Sequence, residues 1–274
     1  RVLDAHVLAL EEAGTAKGKE SIVVSVKPAE DDRGPRFLLK GEGPQEFIRM
    51  NSNSYLGMGL REEVIAAEEH ATRMFGAGPG AVRFISGSYD AHVVLEEKLA
   101  EFHGREAAMI FSSAYATVVS TITPLTTPET VLVSDELNHN CIINAMRLSR
   151  PAGKAVYPHN DMEALDAALE AWKGKARRAL VVTDGIFSMR GDHAPVDEIV
   201  ELCIQHDPDY EENVVCVVDD SHGVGAFGHT GRGAEEFTNS KPADILLGTL
   251  GKAFGVNGGY VATNAGTVHF LRES

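Results

Sequence analysis

Lys252 stands four residues after the apolar run Ile245–Leu247 closes at Gly248, with Gly251 before it and Ala253 after it. Small neighbours let backbone approach closely, and a partly desolvated amine loses basicity, so a lysine placed there can attack a carbonyl. Four more apolar runs end in polar residues. Val214–Val218 leads into Asp219-Asp220-Ser221-His222, and Ala179–Val182 into Thr183-Asp184-Gly185-Ile186-Phe187-Ser188-Met189. Thr130–Val133 leads into Ser134-Asp135-Glu136-Leu137-Asn138-His139. Ala107–Phe111 gives Ser112-Ser113-Ala114-Tyr115 and then a helical stretch. Singly, such an Asp or His is more often a helix cap or a surface residue. Five together, at the strand ends where open α/β sheets bind ligands, point to a site. An aldehyde cofactor with a pyridine nitrogen and a phosphate would use them all. It needs a carboxylate facing the nitrogen, an imidazole on the ring face, a donor to the phenolic oxygen, and N–H groups at a helix start for the phosphate.

Competing motifs are weaker. Gly223-Val-Gly-Ala-Phe-Gly228 matches G-x-G-x-x-G and underlies a rival reading as a nicotinamide-dependent oxidoreductase. However, Asp219–His222 intervene after the strand, and Gly231 and Gly233 fall where a dinucleotide fold needs helix. In a P-loop ending at Lys252 the first glycine would be Leu246 and the Ser/Thr would be Ala253. No G-x-S-x-G elbow exists, and Asp219, Asp220 and His222 are too few to hold a metal without further ligands. A scaffold without activity is disfavoured by the presence of Lys252.

The elements that must carry these residues are legible from periodicity. The strand runs above, with Tyr260–Ala262, lack strict alternation, as strands buried on both faces of a parallel sheet do. Between them lie helical stripes: Leu95, Leu99 and Phe102, opened at Asp90 and stopped at Gly104; Met162, Leu165, Leu169 and Trp172, opened at Asn160 or Asp161; and Val196, Ile199, Val200 and Cys203, begun near Pro195. The fold class expected is α/β, a mostly parallel sheet with helices on both faces. Residues 1–50 read as an N-terminal arm, with a helix near Val2–Leu10 and an extended piece at Phe37–Lys40. Residues 51–274 read as one large α/β domain. The 274 residues are 43% hydrophobic and 24% charged, which suits a folded globular chain. Forty acidic against twenty-five basic side chains give a formal charge of −15, which argues against nucleic acid as a partner. Three scattered cysteines without a C-x-x-C pair speak against a disulfide framework and for a reducing, cytoplasmic compartment. No run approaches the ~20 apolar residues of a membrane span. The chain begins without Met and stops inside the helical pattern Val268–Ser274, as expected of a piece of a longer protein.

Five motifs, in order and at family spacing, resemble one family: Asn53-Ser-Tyr-Leu-Gly57, Val82-Arg-Phe-Ile-Ser-Gly87, Asp184-Gly-Ile-Phe-Ser-Met189, Val218-Asp-Asp-Ser-His222 and Gly248-Thr-Leu-Gly-Lys252. They are similar to those of the α-oxoamine synthases, pyridoxal 5'-phosphate (PLP) acyltransferases of aminotransferase fold type I. The resemblance implies that Lys252 condenses with the cofactor's aldehyde and that Asp219 pairs with the ring nitrogen. It further implies that His139 stacks on the ring and that His222 and Ser188 bond the phenolic-oxygen side. Phosphate would fall to Ser113, Ala114, Tyr115 and Thr249, and substrate contact to Asn53. Ser54 departs from the Asp or Asn usual before Tyr-Leu-Gly. The implied reaction joins an amino acid to an acyl-CoA, with homodimers sharing active sites and a small domain beyond Ser274 supplying the arginine for the substrate carboxylate. Val82–Gly87, Ser112–Tyr115 and Asp135–His139 favour glycine with acetyl-CoA, giving a 2-amino-3-oxo acid and CoA, as in glycine C-acetyltransferase. Gly191-Asp-His-Ala-Pro195 and Gly251-Lys-Ala-Phe-Gly-Val256 look more like 8-amino-7-oxononanoate synthase, which joins alanine to a pimeloyl thioester with decarboxylation. Serine palmitoyltransferase is a further alternative.

Overall fold

The computed structural model describes residues 1–274, which divide into two compact units, Arg1–Ser52 and Asn53–Ser274. The first carries helix α1 (Val2–Glu12) and a three-stranded antiparallel sheet of β1 (Val23–Lys27), β2 (Arg36–Leu39) and β3 (Glu46–Phe47). No residue of α1 is buried.

The second unit begins with α2 (Glu62–Phe75) and α3 (Asp90–His103). Strands and helices then alternate: β4 (Ala107–Phe111), α4 (Ala114–Leu125), β5 (Thr130–Asp135), α5 (Asn140–Leu148), β6 (Gly153–Tyr157) and α6 (Met162–Trp172). They continue through β7 (Arg178–Asp184), α7 (Val196–His206), β8 (Asn213–Asp219), the short α8 (Ala234–Phe237), β9 (Ile245–Thr249), β10 (Gly259–Thr263) and α9 (Ala265–Glu273). The seven strands lie in the order β4-β10-β9-β8-β7-β5-β6. β10 runs antiparallel to both its neighbours, while β9, β8, β7, β5 and β6 are parallel.

Unbroken apolar strands are what this sheet requires, because successive side chains serve opposite faces. Val131, Val133, Ala179, Val181, Cys216 and Val218 pack with Leu165 and Leu169 of α6 and Ile199 and Val200 of α7. The alternate residues Leu132, Leu180, Val182, Val217 and Leu247 pack with Val118 and Ile122 of α4, Ile142 and Met146 of α5, and Leu271 of α9. α3 covers the β4–β10 end through Leu99 and Ala100 against Ala108, Tyr260 and Ala262. The caps read from sequence close these helices. Asp161 accepts the Ala164 amide at 2.9 Å, and Gly104 takes the left-handed conformation after α3 (φ 61°). The glycine-rich stretch 221–233 is a run of turns, with no helix following β8 at the place where a dinucleotide fold puts one. No helix is long and apolar enough to cross a membrane.

Candidate functional site

Parallel register brings the polar strand endings together. Asp184 at the end of β7 is the direct neighbour of Asp219 at the end of β8, and Asp219 of Leu247 on β9. Asp219 is 5% exposed. Its Oδ1 accepts the Ser221 amide at 3.1 Å, and its Oδ2 meets the Cys141 thiol at 3.6 Å. A thiol is a weak donor, so that carboxylate keeps capacity for a cationic N–H. Asp184 Oδ2 accepts the His139 amide at 2.9 Å, which ties the start of α5 to β7. Burial, reinforced by the charge of Asp219, pushes the Asp184 carboxyl well above the usual range.

His139 caps α5. Its Nδ1 accepts the Cys141 amide and lies 2.8 Å from Cys141 Sγ, so the imidazole, the thiol and Asp219 form a chain. Burial holds the Cys141 thiol well above its ordinary value, with Asp219 and Asp184 adding to the effect, so it stays protonated. Lys252 lies in the turn between β9 and β10, where Gly255 donates its N–H to the Lys252 carbonyl at 3.1 Å from a positive φ of 76°. Burial lowers the Lys252 pKa, and the nearby acids, Asp219 first, oppose the shift. His222 is half-buried and has its pKa lowered to about 4, by burial first and then by the charges of Lys252 and His139. Its Nδ1 lies 2.6 Å from the Tyr55 hydroxyl, whose own pKa is raised by burial.

Asp220 faces the other way. It is fully buried, its Oδ2 accepts the Ala234 amide at 2.7 Å, and its Oδ1 has no hydrogen-bond partner. Side chains added at Gly185, Gly223 or Gly233 would collide with this carboxyl, so Asp220 gathers the loops after β7 and β8 around itself. Burial pushes its carboxyl well above the usual range.

At the start of α4, Ser113 Oγ accepts the Ala116 amide at 3.1 Å, and the preceding amides of Ala114 and Tyr115 belong to the first turn, where a helix welcomes an anion. Tyr115 OH accepts from Asn144 Nδ2 at 3.0 Å. Thr249 Oγ1 donates to the Gly258 carbonyl at 3.2 Å and accepts the Gly251 amide at 3.1 Å, which shapes the turn that carries Lys252.

The structure therefore brings His139, Asp219, His222 and Lys252 into one cluster. Asn53 and Ser188 are exposed. Three members were not singled out by sequence reasoning as site residues: Tyr55, Cys141 and Asp184. Asp184 and Tyr55 sit inside the motifs Asp184–Met189 and Asn53–Gly57, which are the signal the sequence offers for them. Cys141 followed two residues after His139 with nothing local to mark it.

The Aminotransferase class I and II family matches residues 45–273. The 8-amino-7-oxononanoate synthase of Geobacter sulfurreducens is 40% identical over 254 residues, which cover 92% of this chain and 62% of that protein. The serine palmitoyltransferase of Sphingomonas wittichii superposes with a TM-score of 0.85 at 30% identity, over 99% of this chain and 64% of that one. A second solved structure, SPT with PLP, gives a TM-score of 0.86 at 27% identity, over 99% of this chain and 65% of that one. The chain thus spans somewhat under two thirds of the relatives it matches. The synthase names fit the alternative drawn from Gly191–Pro195 and Gly251–Val256, and the palmitoyltransferases the further alternative, better than the glycine and acetyl-CoA reading that the other motifs favour.

Proposed function

The chain belongs to the aminotransferase class I and II family, among its α-oxoamine synthases, and we propose that it forms the cofactor-holding part of an enzyme that joins alanine to a pimeloyl thioester with release of CO2. Its cofactor is PLP. The residues suit that group, since a buried carboxylate with one weakly occupied oxygen, a lysine of lowered basicity and a helix start for an anion converge at the strand ends. When bound, PLP supplies an aldehyde for an amine and a protonated ring that takes up the electron pair left on a substrate α-carbon.

Each residue then has a task. Lys252 Nζ would hold the cofactor's aldehyde, and as a free amine it would carry the substrate's α-proton, for which a lowered pKa is an advantage. Asp219 Oδ2 would hold the proton on the ring nitrogen, while Ser221 N–H and Cys141 Sγ fix the carboxylate's orientation. His139, kept in place by its bonds to Cys141 and Asp184, would cover the ring face. With Tyr55 OH donating to Nδ1, the neutral His222 ring keeps its proton on Nε2 and offers it to the phenolic oxygen, together with Ser188. Ser113 and the amides of Ala114 and Tyr115 would hold the phosphate, Thr249 would reach it only by giving up its bond to the Gly258 carbonyl, and Asn53 would contact substrate. A homodimer with shared sites belongs to the same reading.

The observation that carries this proposal is the buried Asp219 carboxylate at the end of β8, tied through Cys141 to His139, with the half-buried Lys252 close enough to feel its charge. Borohydride treatment of PLP-loaded protein should fix the cofactor's mass at Lys252, and Lys252→Ala should abolish both that adduct and turnover. Failure to label Lys252 would overturn the cofactor assignment. Release of CoA should be fastest with alanine and pimeloyl-CoA. Faster release with glycine and acetyl-CoA, or with serine and palmitoyl-CoA, would overturn the substrate assignment alone.

A further inference from the structure

A second group of titratable side chains gathers at the opposite end of the sheet, where α6 ends and α7 gives way to the turn before β8. His206, the last residue of α7, is 8% exposed. Its Nε2 lies 2.7 Å from Asp166 Oδ1 on α6. Its Nδ1 is buried without a hydrogen-bond partner and faces Asp209 Oδ2 at 3.3 Å. Glu170 is one turn beyond Asp166 on the same helix face. One donor atom each from Glu170, His206 and Asp209 lie within 4.8 Å of one another.

Three carboxylates, those of Asp166, Glu170 and Asp209, thus gather around one buried imidazole, and that concentration of acids calls for a positive charge. The fold already brings one there: Lys173 Nζ lies 2.7 Å from Asp209 Oδ1 and 3.8 Å from Glu170 Oε2. Lys173 is a half-exposed side chain at the helix end, able to swing out into water.

We propose that Glu170, His206 and Asp209 bind a divalent transition-metal ion of the zinc class, with Asp166 as the carboxylate that orients the imidazole. Zinc bonds to nitrogen and oxygen of about 2.0–2.2 Å place neighbouring ligand atoms of a tetrahedron roughly 3.3–3.6 Å apart. The His206–Asp209 pair already has that spacing, at 3.3 Å. Glu170 is exposed and able to adjust, and water takes the fourth position. A ligating histidine whose other nitrogen meets a carboxylate is the usual outer arrangement of such sites. One imidazole with two carboxylates suits zinc, whereas magnesium and calcium take oxygen alone. The ion would tie α6 to the α7–β8 turn, far from the strand ends that carry Lys252.

The test is calorimetric titration of chelator-treated, PLP-loaded protein with zinc chloride, with magnesium chloride as the contrast. The expected result is one zinc per chain, no response to magnesium, and a Tm raised by roughly 5 °C at saturating zinc. Glu170→Gln should weaken binding at least about tenfold. Lys173→Met should tighten it, because the competing ammonium is gone. Both positions are solvent-facing, so neither variant endangers folding. Absence of saturable binding, or an affinity unchanged in both variants, would overturn the proposal.

Discussion

The two ends of the seven-stranded sheet handle charge in opposite ways. At the carboxyl ends, Asp184, Asp219 and Asp220 are buried on adjacent strands and loops, and the cation nearest them electrostatically, Lys252, itself has lowered basicity. At the amino ends the acids are as numerous but wet and paired. Arg177 meets Glu129 and Glu211 at 3.0 Å and Glu212 at 3.6 Å, and Arg178 meets Glu212 at 3.0 Å and the Leu125 carbonyl at 3.1 Å. Exposed pairs of that kind contribute about 0–1 kcal/mol. Buried acids without a full set of partners cost several kcal/mol and persist only where something offsets them. In this sheet it is undercompensated charge, more than cavity shape, that marks where a ligand belongs.

The contrast can be broken most forcefully at Asp219. Asp219→Asn keeps shape and removes the charge that holds a proton on the ring nitrogen, so turnover should fall on the order of 10^3-fold while cofactor binding persists in part; near-normal kcat would end the electron-sink argument. Next comes Gly233, which combines a φ of 94° with a place against Asp220. Gly233→Ala should cost about 3 kcal/mol of stability in denaturant titration, through backbone strain and collision with a buried carboxyl.

A smaller effect is expected at His103, buried against Tyr260 OH at 2.8 Å. Its pKa is lowered to about 3, by burial first and then by the charges of Arg105 and Arg232. Below pH 6.5 the unfolded chain takes up a proton that the folded ring refuses, so stability contributed here is lost as pH falls from about 6.5 toward 3. His103→Gln should therefore reduce the loss of stability between pH 7 and pH 5 by about 2 kcal/mol, read from urea midpoints at the two pH values. The smallest change belongs to the wet end. Arg177→Ala should alter stability by less than about 1 kcal/mol despite its three ion pairs. A larger loss there would erase the distinction between the two ends.

Much of the architecture is written locally. β4 occupies the stretch Ala107–Phe111 read from the apolar run, and α3 starts at Asp90 and stops at Gly104 as expected, although its N-cap is Tyr89. β6 escaped because its exposure alternates and it lies at the sheet edge, so it lacks the continuous apolar run of its neighbours. β1 and β3 escaped for a related reason: they are short and poorly buried. In the site, Lys252, Asp219 and His222 were legible because each ends a strand run. The Tyr55–His222 bond joins residues 167 apart, and no local pattern encodes it.

By itself the chain's order of residues determined the alternation of strand and helix, the family, and the chemical types standing at each strand exit, since propensity, capping and period act over a few neighbours. Only the folded arrangement decided which of those groups share an environment. Parallel register set Asp184 beside Asp219, and packing of α5 brought the Cys141 thiol to the same carboxylate. Basicity followed from these placements, because desolvation depends on what surrounds a group in space.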